Sequence, residues 1–137
     1  MAKLLLEIVT PEAKAFSGEV EMVVLPGVEG ELGVLPMHVP LMTQLLPGEV
    51  RILQDGKQKE LVVGTGFVEV SQTHVSILTD MAMSDTEIDE QAAEEAMKRA
   101  EERVHEKDLS SEEIAEIESV IARSLAQLKF KRRRRQH

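Results

Sequence analysis

A chain of 137 residues with 25 acidic and 16 basic side chains, formal net charge −9, has room for one ordinary core and a small appendage. Phe16, Phe67 and Phe130 are its only aromatic residues, so the core must be aliphatic and there is no stacking platform for single-stranded nucleic acid. The absence of cysteine excludes disulfides, thiolate zinc sites and cysteine nucleophiles, and no apolar run approaches the roughly 18 residues of a membrane span. The first residues carry no signal-peptide pattern, so the expectation is a soluble chain that meets a membrane only through its partners.

From residue 4 to about residue 78, short apolar runs alternate with Gly, Pro and Asp, the pattern of an all-β unit. Strands are expected over 4–9, 20–25, 50–54, 61–63, 67–70 and 75–78. Val20, Met22 and Val24 alternate with Glu19, Glu21 and Val23, which predicts a half-buried strand with the first set inward. Asp55-Gly56 can supply the two positive φ angles of a type I′ turn, so a hairpin is expected there. Pro26-Gly27, Pro47-Gly48 and Gly64-Thr65-Gly66 read as further corners, and together these signals predict an antiparallel β-sandwich.

After Met83 the pattern becomes helical. Ser84 to Glu87 and Thr86 to Asp89 both resemble capping boxes ahead of a segment in which Ile88, Ala92, Ala96 and Ala100 recur every four residues, flanked by Ala93, Met97 and Val104. A connector near 106–109 and a further capping box, Ser110 to Glu113, precede the bulky stripe Ile114, Ile117, Ile121, Leu125 and Leu128. Small residues facing large ones across a short connector predict an antiparallel two-helix hairpin. Two helices alone bury little, so the hairpin is expected to be weakly held and able to switch. The fold class is α+β: a sandwich over 1–84 followed by a helical hairpin over 85–137.

Charge is segregated along the chain. Residues 1–84 carry net −6, 85–118 net −10 and 119–137 net +7, so the two helical segments have opposite signs and should attract in a closed hairpin. The chain has no GxxxxGK[ST], GxSxG or HExxH motif, and His38, His74, His105 and His137 are scattered. No acid–base pair or metal-ligand set stands out, which points away from an enzyme and toward a binding or regulatory chain. The basic end has three readings: a solvated tail, a contact to an acidic protein surface, or nonspecific nucleic-acid binding, the last disfavoured by an otherwise acidic, aromatic-poor chain.

The stretch Gly30-Glu31-Leu32-Gly33-Val34-Leu35-Pro36-Met37-His38-Val39-Pro40-Leu41 resembles the signature of the epsilon subunits of F-type ATP synthases, which reads GELG, two apolar residues, then PGHAPLL. Val9-Thr10-Pro11-Glu12, Phe16-Ser17-Gly18, Val23-Val24-Leu25-Pro26-Gly27 and Gly66-Phe67-Val68-Glu69-Val70 resemble the family's strands. Ile88-Asp89 with Arg99-Ala100-Glu101 resembles its first helix. Met37 stands where the family usually has Gly.

The resemblance implies a non-catalytic subunit that couples the catalytic head to the rotor and inhibits ATP hydrolysis through its C-terminal helices. The partners it implies are the γ subunit, the c ring and the catalytic α/β subunits, on the cytoplasmic side of the cell membrane as a peripheral protein, without nucleic acid. A free-standing adaptor whose hairpin binds a protein partner is the alternative. The resemblance assigns Glu31 and His38 to the rotor-ring contact, although the neighbouring Gly and Pro residues also read simply as turn formers and His38 as a surface histidine. It assigns Arg123, Lys129, Lys131, Arg132, Arg133, Arg134 and Arg135 to an inhibitory contact with the β subunit.

In some bacterial members an ATP site is centred on Ile or Leu, Asp, two variable residues, Arg, Ala. This chain reads Ile88-Asp89-Glu90-Gln91-Ala92-Ala93, with Ala92 in place of the arginine, so ATP is expected to bind weakly or not at all. Arg99 and Arg123 remain candidate phosphate partners, or ordinary solvated helix charges. No metal or required cofactor is implied.

Overall fold

The computed structural model describes residues 2–135, the side chain of Arg135 excepted. Ten strands come first: β1 (Leu4–Val9), β2 (Lys14–Val20), β3 (Met22–Gly27), β4 (Gly30–Val34), β5 (Leu41–Leu45), β6 (Gly48–Gln54), β7 (Lys57–Val63), β8 (Gly66–Val70), β9 (His74–Thr79) and β10 (Ala82–Met83). A 3₁₀ turn at Asp85–Glu87 leads to helices α1 (Glu90–Arg103) and α2 (Ser111–Arg135). The strand order is β10-β7-β6-β3-β5-β8-β9-β1-β2, with β4 added to β3. All pairings are antiparallel except β1 with β9, which is parallel.

The two halves of this sheet join through one pairing, Gly27 with Leu45, and fold over one another. Alternate residues of each half then enter a common aliphatic core: Leu4, Leu6 and Ile8 from β1 meet Val23 and Leu25 from β3 and Val50 and Ile52 from β6, all fully buried. Asp55 and Gly56 have φ of 52° and 76°, the type I′ geometry, and fix the β6–β7 register with Gln54 opposite Lys57.

The expected strand over 20–25 is divided. β2 ends at Val20, and Glu21 forms a bend whose N–H donates to the Leu53 carbonyl while its carboxylate accepts from the Asp55 N–H, 3.0 Å. The bend shifts the alternation by one residue, so Val23 and Leu25 point inward and Met22 and Val24 are half-buried, the reverse of the sequence expectation. Pro26-Gly27 likewise lies within β3, and the chain reverses two residues later, at 28–29. Gly64 does mark a corner: a Cβ there would collide with the Asp80 carboxylate.

Of the two capping boxes expected before α1, one forms. Glu87 accepts from the Ser84 N–H at 3.0 Å and from its hydroxyl at 2.8 Å, which holds the Glu87 carboxyl below the usual glutamate range. Asp89 closes no box with Thr86, because it is itself the N-cap of α1. The Ser110 box forms as expected at the start of α2, with Glu113 N–H donating to Ser110 Oγ at 3.1 Å and Ser110 N–H to Glu113 Oε1 at 3.2 Å.

The helices pack as an antiparallel hairpin in which Ala93 and Ala100 face Ile117 and Leu128, all buried. Ile114 and Leu125, at the edge of this narrow seam, stay about two-fifths exposed. The hairpin is also docked on the sandwich. Phe130, 1% exposed, packs with Val62 of β7 and Ile88 of the linker, supported by Met81, Met83 and Ala126. The hairpin therefore does not stand free of the sandwich: the end of β7 is buried on both sides, Val63 in the first core and Val62 under α2.

Candidate functional site

The nucleotide-motif positions fall into separate roles. Ile88 is buried in the second core, and Asp89 Oδ1 accepts from the Ala92 N–H at 3.1 Å, so both hold the helix start in place. Ala92, Ala93 and Arg123 line a cleft of about 520 Å³ between the sandwich edge and both helices. Its other charged side chains are Glu12, Asp80 and Glu87, three carboxylates against one guanidinium. Arg123 Nη1 lies 3.8 Å from Asp80 Oδ2, which also accepts from Thr65 Oγ1 at 3.4 Å. Arg99 lines a different hollow, of about 290 Å³, with Arg103 and Glu116, so the structure does not bring the two candidate arginines into one cavity.

The basic end of α2 is engaged by the chain itself. Lys131 Nζ donates to the Asp85 carbonyl at 3.0 Å. Arg132 reaches α1, with Nε to Glu90 Oε1 at 3.2 Å and Nη2 to Glu94 Oε1 at 2.7 Å. Arg133 reaches the sandwich, with Nε to Glu49 Oε1 at 2.8 Å and Nη2 to Glu60, and Arg134 Nη1 reaches Glu60 Oε1 at 3.3 Å. The bonds to Glu90 and Glu94 raise the pKa of Arg132, and the bond to Glu49 that of Arg133. Lys129 is exposed, and the side chain of Arg135 lies outside the described residues.

The receiving carboxylates were not singled out in the sequence, yet they were accessible there. The Asp55-Gly56 turn sets Arg51 opposite Glu60 and Glu49 opposite Val62, so all four share one face. The run Leu61-Val62-Val63, apolar on both faces, signals that something covers that face.

Among the described residues no element covers the opposite half of the sandwich. Gln44, Phe67, Leu78 and Val9 stand side by side across β5, β8, β9 and β1, and Phe67 and Leu78 are 60% and 54% exposed. In the next row Met42, 69% exposed, stands beside Glu69, Ser76 and Glu7, so the apolar surface is one row with Met42 at its margin. Glu31 and His38 lie apart. Glu31 is opposite Pro26, next to the Gly27 end of β5, and pairs with Arg51 at 2.8 Å. His38 follows Met37, whose N–H donates to the Gln72 carbonyl in the turn at the other end of β5, and its Nδ1 lies 2.6 Å from the Val39 carbonyl. Met37 takes φ 71°, the left-handed geometry that suits the Gly usual there.

A sandwich with one bare apolar face and one face carrying its own helical hairpin defines a docking and regulatory chain, whose work is contact. Residues 3–85 match the family model described as ATP synthase, Delta/Epsilon chain, beta-sandwich domain, and residues 86–131 that of the long alpha-helix domain. The ATP synthase epsilon chain of Dehalococcoides mccartyi (strain CBDB1) is 44% identical over 137 residues, 100% of this chain and 98% of that one. That of Pelotomaculum thermopropionicum is 52% identical over 102 residues, 74% of this chain and 76% of that one.

A chain of the Euglena gracilis mitochondrial ATP synthase (OSCP/F1/c-ring) shares the fold with TM-score 0.73 and 23% identity, covering 92% of this chain and 79% of that one. The protein belongs to the ATP synthase delta/epsilon family, as an epsilon chain. It is accordingly a regulatory and structural subunit of the synthase, not its catalytic part, and associates peripherally with a membrane through that complex. Among the described residues no helix is long and apolar enough to cross a membrane.

Proposed function

We propose that this chain couples the catalytic head of the synthase to its rotor through the sandwich and restrains ATP hydrolysis through the α1–α2 hairpin. The observation that carries the reading is the division of the sandwich. The row of Phe67 and Leu78 is bare, whereas the Glu49 and Glu60 face is taken by α2. The bare face is the docking surface for γ, and the signature segment, with Glu31 at the start of β4 and His38 in the loop before β5, bears on the c ring. Restraint follows when α2 leaves the sandwich and offers Arg123, Lys129 and 131–135 to the acidic surface of the catalytic β subunits, on the cytoplasmic side of the cell membrane. ATP plays little part, because Ala92 supplies no donor and the cleft carries three carboxylates to one guanidinium.

Hydrolysis by the catalytic complex, measured with and without the chain, tests this. Truncation after Leu128, or Gln at positions 132–135, is expected to relieve the inhibition by about tenfold, the scale of a few screened ion pairs. Unchanged hydrolysis by an intact complex would refute the inhibitory role.

A further inference from the structure

Consecutive residues of an α-helix point about 100° apart, so a run of adjacent cations can all find carboxylates only where the helix end is surrounded. That is the situation of 131–134. Lys131 addresses the linker, Arg132 addresses α1, Arg133 bridges β6 and β7, and Arg134 shares the β7 carboxylate with Arg133. The Glu60 side chain is only 12% exposed, so its pairs are screened less than surface ones. Phe130, at the base of the run, is sealed between Val62 and Ile88, with the Arg133 guanidinium 5.9 Å from its ring centre.

We propose that residues 130–134 form a detachable latch that keeps the hairpin closed by occupying the chain's own carboxylates, Glu49, Glu60, Glu90 and Glu94. An acidic partner surface must then compete with these groups for the same guanidiniums, and closure weakens as ionic strength rises. The apolar seat of Phe130 gives the latch its position, and the ion pairs give it its sensitivity to salt. Arg133 holds the end of the helix to two strands at once, so losing both of its carboxylates leaves a half-buried cation with no counter-charge.

The closed state is a property of the chain alone, so the latch does not depend on the inhibitory reading; that reading determines only its consequence. The chain has no cysteine, so Lys57→Cys and Lys129→Cys, both exposed in the parent, give two unique labelling points on the full-length protein. Spin-label distance distributions between them are expected to show one closed population in low salt. An open fraction should grow as NaCl rises from about 0.05 M to about 0.5 M, a range in which the screening length falls roughly threefold. E49Q/E60Q should raise the open-to-closed ratio about tenfold at low salt and flatten the salt response, whereas E101Q, on the exposed face of α1, should change neither. A distance distribution indifferent to salt in the parent, or identical in E49Q/E60Q and the parent, would overturn the latch. If E49Q/E60Q opens the isolated chain while hydrolysis by the complex stays unaltered, the latch stands and the inhibitory role falls.

Discussion

At residue 92 the expectation about ATP rests on one side chain. The Ala92 N–H is already taken by Asp89 Oδ1, and its methyl faces a cleft whose charged lining is mostly acidic. Neither group gives a polyphosphate a charged donor. Ala92→Arg should add one, at about 1.5–3 kcal/mol for a charge-assisted bond, and so tighten MgATP at least tenfold over a parent with little saturable binding below about 1 mM. Calorimetric titration of both proteins decides it, and micromolar binding by the parent would remove the argument. The substitution was visible in the sequence as a departure from the motif, but the companion carboxylates Glu12, Asp80 and Glu87 were not. They come from the strand β1–β2 connection, the β9 end and the 3₁₀ turn, and only folding puts them together.

Among the elements, those readable in the sequence are the ones whose local signals agree. β1 is a β-rich apolar run that ends before Thr10-Pro11, Asp55-Gly56 fixes β6 and β7, and the Ser110 box starts α2 where it should. β4 and β5 have no expected strand, and β2 enters only through the resemblance at Phe16-Ser17-Gly18, because KAFSGEV, GELGV and LMTQL are short, polar or glycine-bearing, and become strands only by pairing with neighbours already in place. The end of α2 was ambiguous for a related reason. Its partners Glu49 and Glu60 lie 84 and 73 residues away, and a basic run by itself does not say whether it is solvated or docked. Phe130→Ala separates docking from helix formation. Truncating a fully buried Phe costs about 3–5 kcal/mol, and here the loss falls on the second core alone. Amide exchange in α1 and α2 should accelerate at least a hundredfold while the β1, β3 and β6 amides keep their protection. Equal acceleration in both regions would mean that the hairpin and sandwich open as one unit.

For the whole molecule, the two faces of the sandwich divide the labour. One holds α2 against Glu49, Val62 and Glu60, and the other leaves Met42, Phe67 and Leu78 exposed, the surface proposed for the rotor. The parallel β1–β9 pairing that completes this row joins segments some seventy residues apart, beyond the reach of local pattern. Phe67 contributes little to the fold, because its ring is 60% exposed beside Leu78 on the outer surface. Phe67→Asp should therefore leave amide protection in β8 and β9 intact. It should weaken docking to a rotor complex lacking this subunit by about 2 kcal/mol, roughly thirtyfold, since a buried aromatic contact is replaced by a charge that must be desolvated. Leu78→Asp should do the same, and the two together should cost less than their sum, because neighbours in one apolar contact are not independent. Wild-type affinity in both single variants would move the docking surface elsewhere on the chain. Loss of docking with undiminished salt-dependent hairpin closure would show that the rotor contact and the latch are separate devices on opposite sides of the sandwich.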